Sequence, residues 1–433
     1  MTQEHIKVLT PREMGEMIQR DQTPDRPNSS PRFKMKASLF LAFQAALAVL
    51  AAPAPRRRDT KEFDIVASAD IDVTALLAEI NLNPEMEDVF TTFNNTLFKG
   101  FSGAITQEEA DFLNAKSEVI AVEPVIGVGI AATRGSAPWG LQRISQRGRV
   151  SGTASARTFT YTYSDTKLGQ GVDVYVVDTG IYTSHQEFGS RARTGYSYYS
   201  PSTDGNGHGT HCAGTIAGST VGVASNANLI AVKVLANDGR GTSAGFIAGL
   251  DYVASQHSSR QSASNFVASV ASMSLGFDSR STAVETAVRN LAAAGVHVVV
   301  AAGNSNTNAC NSSPSALGGT GSTTVLAIGA SNINDAVASF SNTGPCVDVF
   351  APGEGVVSAG YTSASSYRSL SGTSMACPHV AGLVAYNAAA NANLRTPAAM
   401  KSAVKSGAIS GVLTQNSGYV SGGALVLANN GNA

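Results

Sequence analysis

Five stretches of this chain, 172–178, 228–235, 266–275, 296–302 and 324–329, are nearly continuous runs of apolar and small residues. They constrain the fold more than any other feature. A strand with one face in water alternates apolar and polar residues, whereas a strand buried on both faces does not, and that is the habit of a parallel sheet covered by helices. Parallel strands need crossover connections, and helix starts are expected near His208, Ser243, Ser281, Ser374 and Thr396-Pro397. The expected class is therefore α/β, with helices around a mostly parallel sheet. Open sheets of this kind bind ligands at the carboxyl ends of their strands. Asp178, Ser274 to Gly276, and Asn304 all fall at such ends.

Chemistry concentrates in three segments. Gly372-Thr373-Ser374-Met375-Ala376 sets a serine at the mouth of an apolar helix that continues Cys377-Pro378-His379-Val380. Backbone N–H groups converge there and the helix dipole favours negative charge, although a serine in that position is more often a plain N-cap. Pro378 is expected in the first helical turn, where an amide hydrogen is not needed. Upstream, the strand Val172-Asp173-Val174-Tyr175-Val176-Val177 ends in Asp178-Thr179-Gly180-Ile181, and a glycine-rich loop carries Gly207-His208-Gly209-Thr210-His211-Cys212 into a helix of small residues. A serine hydroxyl needs an imidazole to accept its proton, and the imidazole needs a carboxylate to fix its tautomer and stabilise its cation. Asp178, His208 and Ser374 offer these groups in the order Asp…His…Ser. Asn304, which alone reads as a residue ending a strand, follows Ala301-Ala302-Gly303. His211, three residues after His208, lacks a third metal ligand and reads as structural, as do His379 and His297.

With its motifs DTGI, GNGHGTHCAGT, SMSLG, AAGN and GTSMACPHVAG in this order, the chain resembles the subtilisin-like serine proteases, and within them the proteinase K-like branch. The resemblance implies a three-layer sandwich and a secreted serine endopeptidase acting through an acyl-enzyme. Asp178, His208 and Ser374 would form its triad, and Asn304 would donate to the oxyanion. Gly239, Gly241, Ser274, Leu275 and Gly276 would hold the substrate backbone, while Ala301, Ala302 and Gly303 would wall the pocket for the residue before the scissile bond. These small walls imply a broad apolar or aromatic preference; Arg240 and Phe277 depart from the family's usual small residues. Catalysis in this family uses no cofactor. A structural calcium at Asp348, with carbonyls near Thr323 and Val325, is implied, although the glycine-rich 317–322 stretch departs from the family. Cys310 and Cys346 match positions bridged in some relatives, a link worth roughly 3–4 kcal/mol. Cys212 and Cys377 are expected as buried free thiols. A catalytically inactive scaffold acting as a binding module, and a small-molecule ester or amide hydrolase, are the competing readings.

The amino-terminal third differs in character. Residues 1–34 are polar, contain proline and read as a disordered extension. At 35–52, a basic residue precedes about 15 apolar residues, as in a signal peptide, which makes Met35 the expected initiator. Residues 61–126 alternate strand and helix in a βαββαβ-like, ferredoxin-like α+β order that resembles the inhibitory propeptide of subtilases. Thr106-Gln107-Glu108-Glu109 opens one of its helices as a capping box. Cleavage is expected between Val128 and Arg134, leaving a catalytic domain at 131–433. The chain has 30 basic and 31 acidic residues and only 14% charged residues, which argues against a nucleic-acid partner. Protein substrates, the chain's own propeptide, no membrane span in the mature form, and a monomeric enzyme are expected.

Overall fold

The computed structural model describes residues 59–125, 131–319 and 323–432. The expected extension at 1–34 and signal peptide at 35–52 lie outside the described residues. The chain divides into two compact units between Gly127 and Val128.

The first unit runs β1 (Thr60–Ala67), α1 (Val73–Ala78), β2 (Val89–Asn94), β3 (Lys99–Thr106), α2 (Gln107–Asn114) and β4 (Val119–Pro124). Its antiparallel sheet has the order β2-β3-β1-β4. The Asp72 carboxylate caps α1 by accepting from the N–H groups of Thr74 and Ala75, and Thr106 and Glu109 close a reciprocal capping box on α2. Phe63, Ile65, Leu76, Leu77, Phe101, Ile105 and Leu113 form its core. The strand the sequence hides is β2, in which only Val89 is buried.

The second unit opens with β5 (Ala132–Ala137), α3 (Trp139–Arg143) and β6 (Phe159–Tyr163). Its sheet is built from β7 (Val172–Asp178), β8 (Ala192–Ser197), β9 (Asn228–Lys233), β10 (Ala268–Met273), β11 (His297–Ala301), β12 (Leu326–Ser331) and β13 (Val349–Pro352). The crossover helices are α4 (His208–Ala217), α5 (Ser243–Arg260) and α6 (Thr282–Ala293). A hairpin, β14 (Val356–Ala359) and β15 (Tyr367–Leu370), precedes α7 (Thr373–Ala390) and α8 (Pro397–Ser406), and β16 (Ile409–Ser410) and β17 (Val426–Leu427) complete the sheet edge. The order is β16-β17-β13-β12-β11-β10-β7-β9-β8, parallel throughout except for β16 against β17.

Both faces are buried, and alternation along each strand distributes its side chains between two cores. Val172, Val174, Val176, Val299 and Ala301 enter the core shared with α4 and α7. Tyr175, Val177, Val298 and Val300 enter the one shared with α5 and α6. Helix α7 is apolar nearly all round, as a helix enclosed by protein must be, and nearly all of it is buried. From β7 the chain goes out to the edge strand β8, steps back in to β9, and then crosses to the other side of β7 as β10. The carboxyl ends of β7 and β10 therefore flank the switch point where such sheets bind ligands.

Two further cross-links hold this unit. Cys310 and Cys346 are disulfide-bonded, with Cα atoms 5.3 Å apart. Arg143, fully buried, places Nε 2.7 Å and Nη2 3.3 Å from the Asp335 carboxylate and donates from Nη1 to the Gln146 carbonyl at 2.9 Å. Removing one partner of a buried pair strands the other charge. Arg143→Ala is therefore expected to lower unfolding free energy by about 3–5 kcal/mol, read by denaturant unfolding of inhibitor-treated protein. A loss below ~1 kcal/mol would contradict the assignment of a buried pair.

Candidate active site

Asp178 ends β7 fully buried, and His208 begins α4 with 26% of its side chain exposed. Their junction is close because Gly209 follows: a Cβ there would lie 2.2 Å from the Gly180 carbonyl oxygen. His208 Nδ1 sits 2.8 and 3.0 Å from the two Asp178 oxygens, and Asp178 also accepts the Thr179 N–H at 2.7 Å. The carboxylate thus fixes the proton on Nδ1 and leaves Nε2 as the free end. Burial disfavours the imidazolium, but the Asp178 charge and hydrogen bond outweigh it, and the His208 pKa stands well above the ordinary 6.5.

A second carboxylate, not singled out by sequence reasoning, holds the loop in place. Asp204, buried, accepts from the Thr179 hydroxyl and from the N–H groups of Asn206, Gly207 and Thr210, as well as the Thr210 hydroxyl. Thr179 Oγ1 in turn accepts the Gly209 N–H at 2.9 Å.

Ser374 lies in the first turn of α7, whose amides have no acceptor within the helix. Gly372, at φ 154° and ψ 161°, adopts a conformation open essentially only to glycine and turns the chain into the helix. Pro378 sits six positions into α7 rather than in its first turn. Its missing N–H leaves the carbonyl of Ser374 without the usual helical donor. Two side chains from other elements replace it: Ser274 Oγ donates to that carbonyl at 2.9 Å and Cys212 Sγ at 3.4 Å. The Ser374 hydroxyl donates to the Ser274 carbonyl at 3.1 Å. Catalytic hydrogen bonds in such sites commonly form only once substrate is seated.

Asn304 is exposed beyond β11, yet its amide is oriented. Its Oδ1 accepts both the N–H and the hydroxyl of Thr373 at 2.8 Å, which leaves Nδ2 as the outward donor beside the Ser374 turn. Thr373, like Asp204, is a positioning residue not foreseen from the sequence.

A cavity of about 510 Å3 runs from His208 between two walls, one containing Gly239, Arg240 and Gly241, the other Ser274, Leu275, Gly276 and Phe277. Phe277 meets Phe246 edge-on at 5.6 Å. Ala301, Ala302 and Gly303 end β11 next to Asn304, the alanines buried, and do not line this cavity. His211 is buried, with Nε2 bonded to the Val356 carbonyl at 3.0 Å, and burial pushes its pKa down to about 3. His379 and His297 are held neutral by burial in the same way, at about 4 each.

Asp178, His208 and Cys212 bring ligand atoms within 4.8 Å of one another. Cys212 is buried with Sγ 4.0 Å from His208 Nδ1, and burial raises its thiol pKa, so it is a neutral thiol beneath the imidazole. The expected calcium site does not fit its residues. Asp348 is fully buried, but one carboxylate oxygen takes the ammonium groups of Lys401 and Lys405 at 3.2 and 3.1 Å, and the other takes the N–H groups of Gly319 and Ala327 at 3.0 Å each. The carbonyls of Thr323 and Val325 also receive Lys401 Nζ. Two ammonium groups around one carboxylate repel a divalent cation.

A sequence model described as the subtilase family matches residues 169–424. The chain is 43% identical over 330 residues to a cuticle-degrading serine protease of Arthrobotrys oligospora, covering 75% of this chain and 76% of that protein. It is 44% identical over 290 residues to Proteinase R of Parengyodontium album, covering 67% and 70%. A solved cold-adapted subtilisin-like serine proteinase superposes with a TM-score of 0.58 at 39% identity, covering 68% of this chain and 99% of that one.

Two outcomes follow from the geometry. His208 should titrate above pH 6.5 by NMR, and Asp178→Asn should bring it down, because the largest influence opposing burial is then removed. Since the folded value is raised, the charged pair contributes stability below the unfolded value near 6.5, and that contribution is lost as pH rises through the folded one. A stoichiometric mercurial should inactivate the protein through Cys212, and Cys212→Ala should be resistant; equal sensitivity of the two would place the reactive thiol elsewhere.

Proposed function

The chain belongs to the subtilase family and is a serine endopeptidase; from that premise we propose that it is a secreted zymogen whose Asp178, His208 and Ser374 cleave proteins through an acyl-enzyme. The observation that carries the reading is the bidentate approach of His208 Nδ1 to Asp178, with Nε2 left free at the head of the cavity.

An extended peptide adds as a strand between 239–241 and 274–276, main chain to main chain. Ser374 exchanges its hydrogen bond to Ser274 for one to His208 Nε2 and attacks the scissile carbonyl carbon, and its proton passes to the imidazole. The carbonyl oxygen becomes an oxyanion between the Ser374 N–H and Asn304 Nδ2, two donors already oriented before charge develops. The tetrahedral adduct collapses, the imidazolium gives its proton to the leaving amine, and a water repeats the sequence on the ester. Asp178 remains ionised throughout. The broad preference for apolar or aromatic side chains before the scissile bond rests on the family resemblance, in which 301–303 wall that pocket. No step requires a cofactor.

The first unit is read as the propeptide, inhibitor and folding aid to the second. Ala132, Thr133 and Arg134 are paired in the β5–β6 ladder, with the Arg134 guanidinium over the Tyr161 ring. Cutting within that ladder would break structure in the catalytic unit, so within the expected Val128–Arg134 window maturation is assigned to the part that precedes Ala132, and the mature enzyme acts as a monomer.

Ser374→Ala should abolish peptide hydrolysis and leave the chain unprocessed; retained hydrolysis would refute the triad, whereas an inert wild type would favour the scaffold reading. Asn304→Leu should lower kcat about 10²–10³-fold with KM little changed; a loss confined to KM would remove Asn304 from the oxyanion site. Arg240 is exposed on the cavity rim and makes no ion pair among the described residues. Arg240→Ser should lower kcat/KM about 2–5-fold for peptides acidic upstream of the scissile bond, with no change for neutral ones.

A further inference from the structure

We propose that Lys401 is the resident cation of the Asp348 site: a lysine ammonium, covalently tethered through α8, does the work that a bound metal ion would otherwise do there. The ammonium offers three N–H donors, and three oxygens meet it, Asp348 Oδ1 at 3.2 Å, the Thr323 carbonyl at 3.2 Å and the Val325 carbonyl at 2.7 Å. The carboxylate is equally saturated. Its two oxygens have about four lone-pair positions, and these meet Lys401, Lys405, and the N–H groups of Gly319 and Ala327. No lone pair is left for an ion, and the local charge, two ammonium groups against one carboxylate, is already positive.

The arrangement ties three parts of the catalytic unit. Asp348 immediately precedes β13, Val325 immediately precedes β12, and Lys401 and Lys405 lie one turn apart on α8. Strand β12 pairs with β11, the strand that leads to Asn304. A tethered cation cannot diffuse away, so the stability of this joint does not follow the concentration of any metal ion, as it would for a bound one.

The test uses the full chain with Ser374→Ala, which prevents self-digestion, and reads thermal midpoints by calorimetry in chelator and in millimolar calcium. The parent should show no calcium increment that depends on Asp348; an increment of equal size in Asp348→Asn supports this, since it belongs to another place. Lys401→Ala/Lys405→Ala should fall by roughly 5–10 °C in chelator and recover part of that loss in calcium, because the oxygens are then free. A parent increment that Asp348→Asn abolishes, or a double variant that calcium does not raise, overturns the proposal. Should the double variant fail to fold, terbium-soaked crystals of the parent decide. Anomalous density between Asp348 and the Thr323 and Val325 carbonyls, with Lys401 swung away, overturns it, and Lys401 Nζ retained on all three oxygens supports it.

Discussion

Burial of the parallel sheet on both faces is the constraint on which everything else rests. Once valines and alanines fill the cores above and below β7, β10 and β11, polar groups have nowhere to go except the strand ends. The carboxyl ends are the ones that open toward helix N-termini. Asp178 and Ser274 end up as neighbours because β7 and β10 are adjacent while the chain between them has gone out to β8 and come back through β9. The site is a by-product of topology before it is a set of side chains. The buried carboxylate at its head is tolerable because two donors, the Thr179 N–H and a forked His208 Nδ1–H, converge on it, and a carboxylate so placed must bias whatever base lies beside it.

Much of this was legible in the chain. Runs such as 172–178 and 296–302 are apolar at both odd and even positions, which only a doubly buried strand requires, and Asp178, His208, Asn304 and Ser374 stand at element ends where their chemistry has a geometric use. Strand β2 was not legible, because an edge strand exposed on most of its length carries no alternation for a sequence to display. Thr373 and Asp204 were invisible for a different reason. Their importance lies in which atom they orient, and a threonine or aspartate in a glycine-rich loop has many innocuous uses.

Asp348 illustrates the sharpest limit. The family resemblance implies a cation there, and the structure does supply one, but from α8, more than fifty residues later in the sequence. Charge balance around a buried group is a property of three-dimensional neighbours. A position matched to a family can imply the need for a positive charge without saying whether an ion or a side chain will meet it.

Pro378 has a consequence for motion. By cancelling one rung of α7's own ladder, it hands the Ser374 carbonyl to Ser274 on the substrate wall and to Cys212 on the helix of the histidine. The Ser374 peptide unit is therefore registered to Ser274 and Cys212 rather than to the helix it begins. Bending or breathing of α7 can be absorbed at the missing rung, leaving the distances among serine, histidine and the substrate wall largely undisturbed.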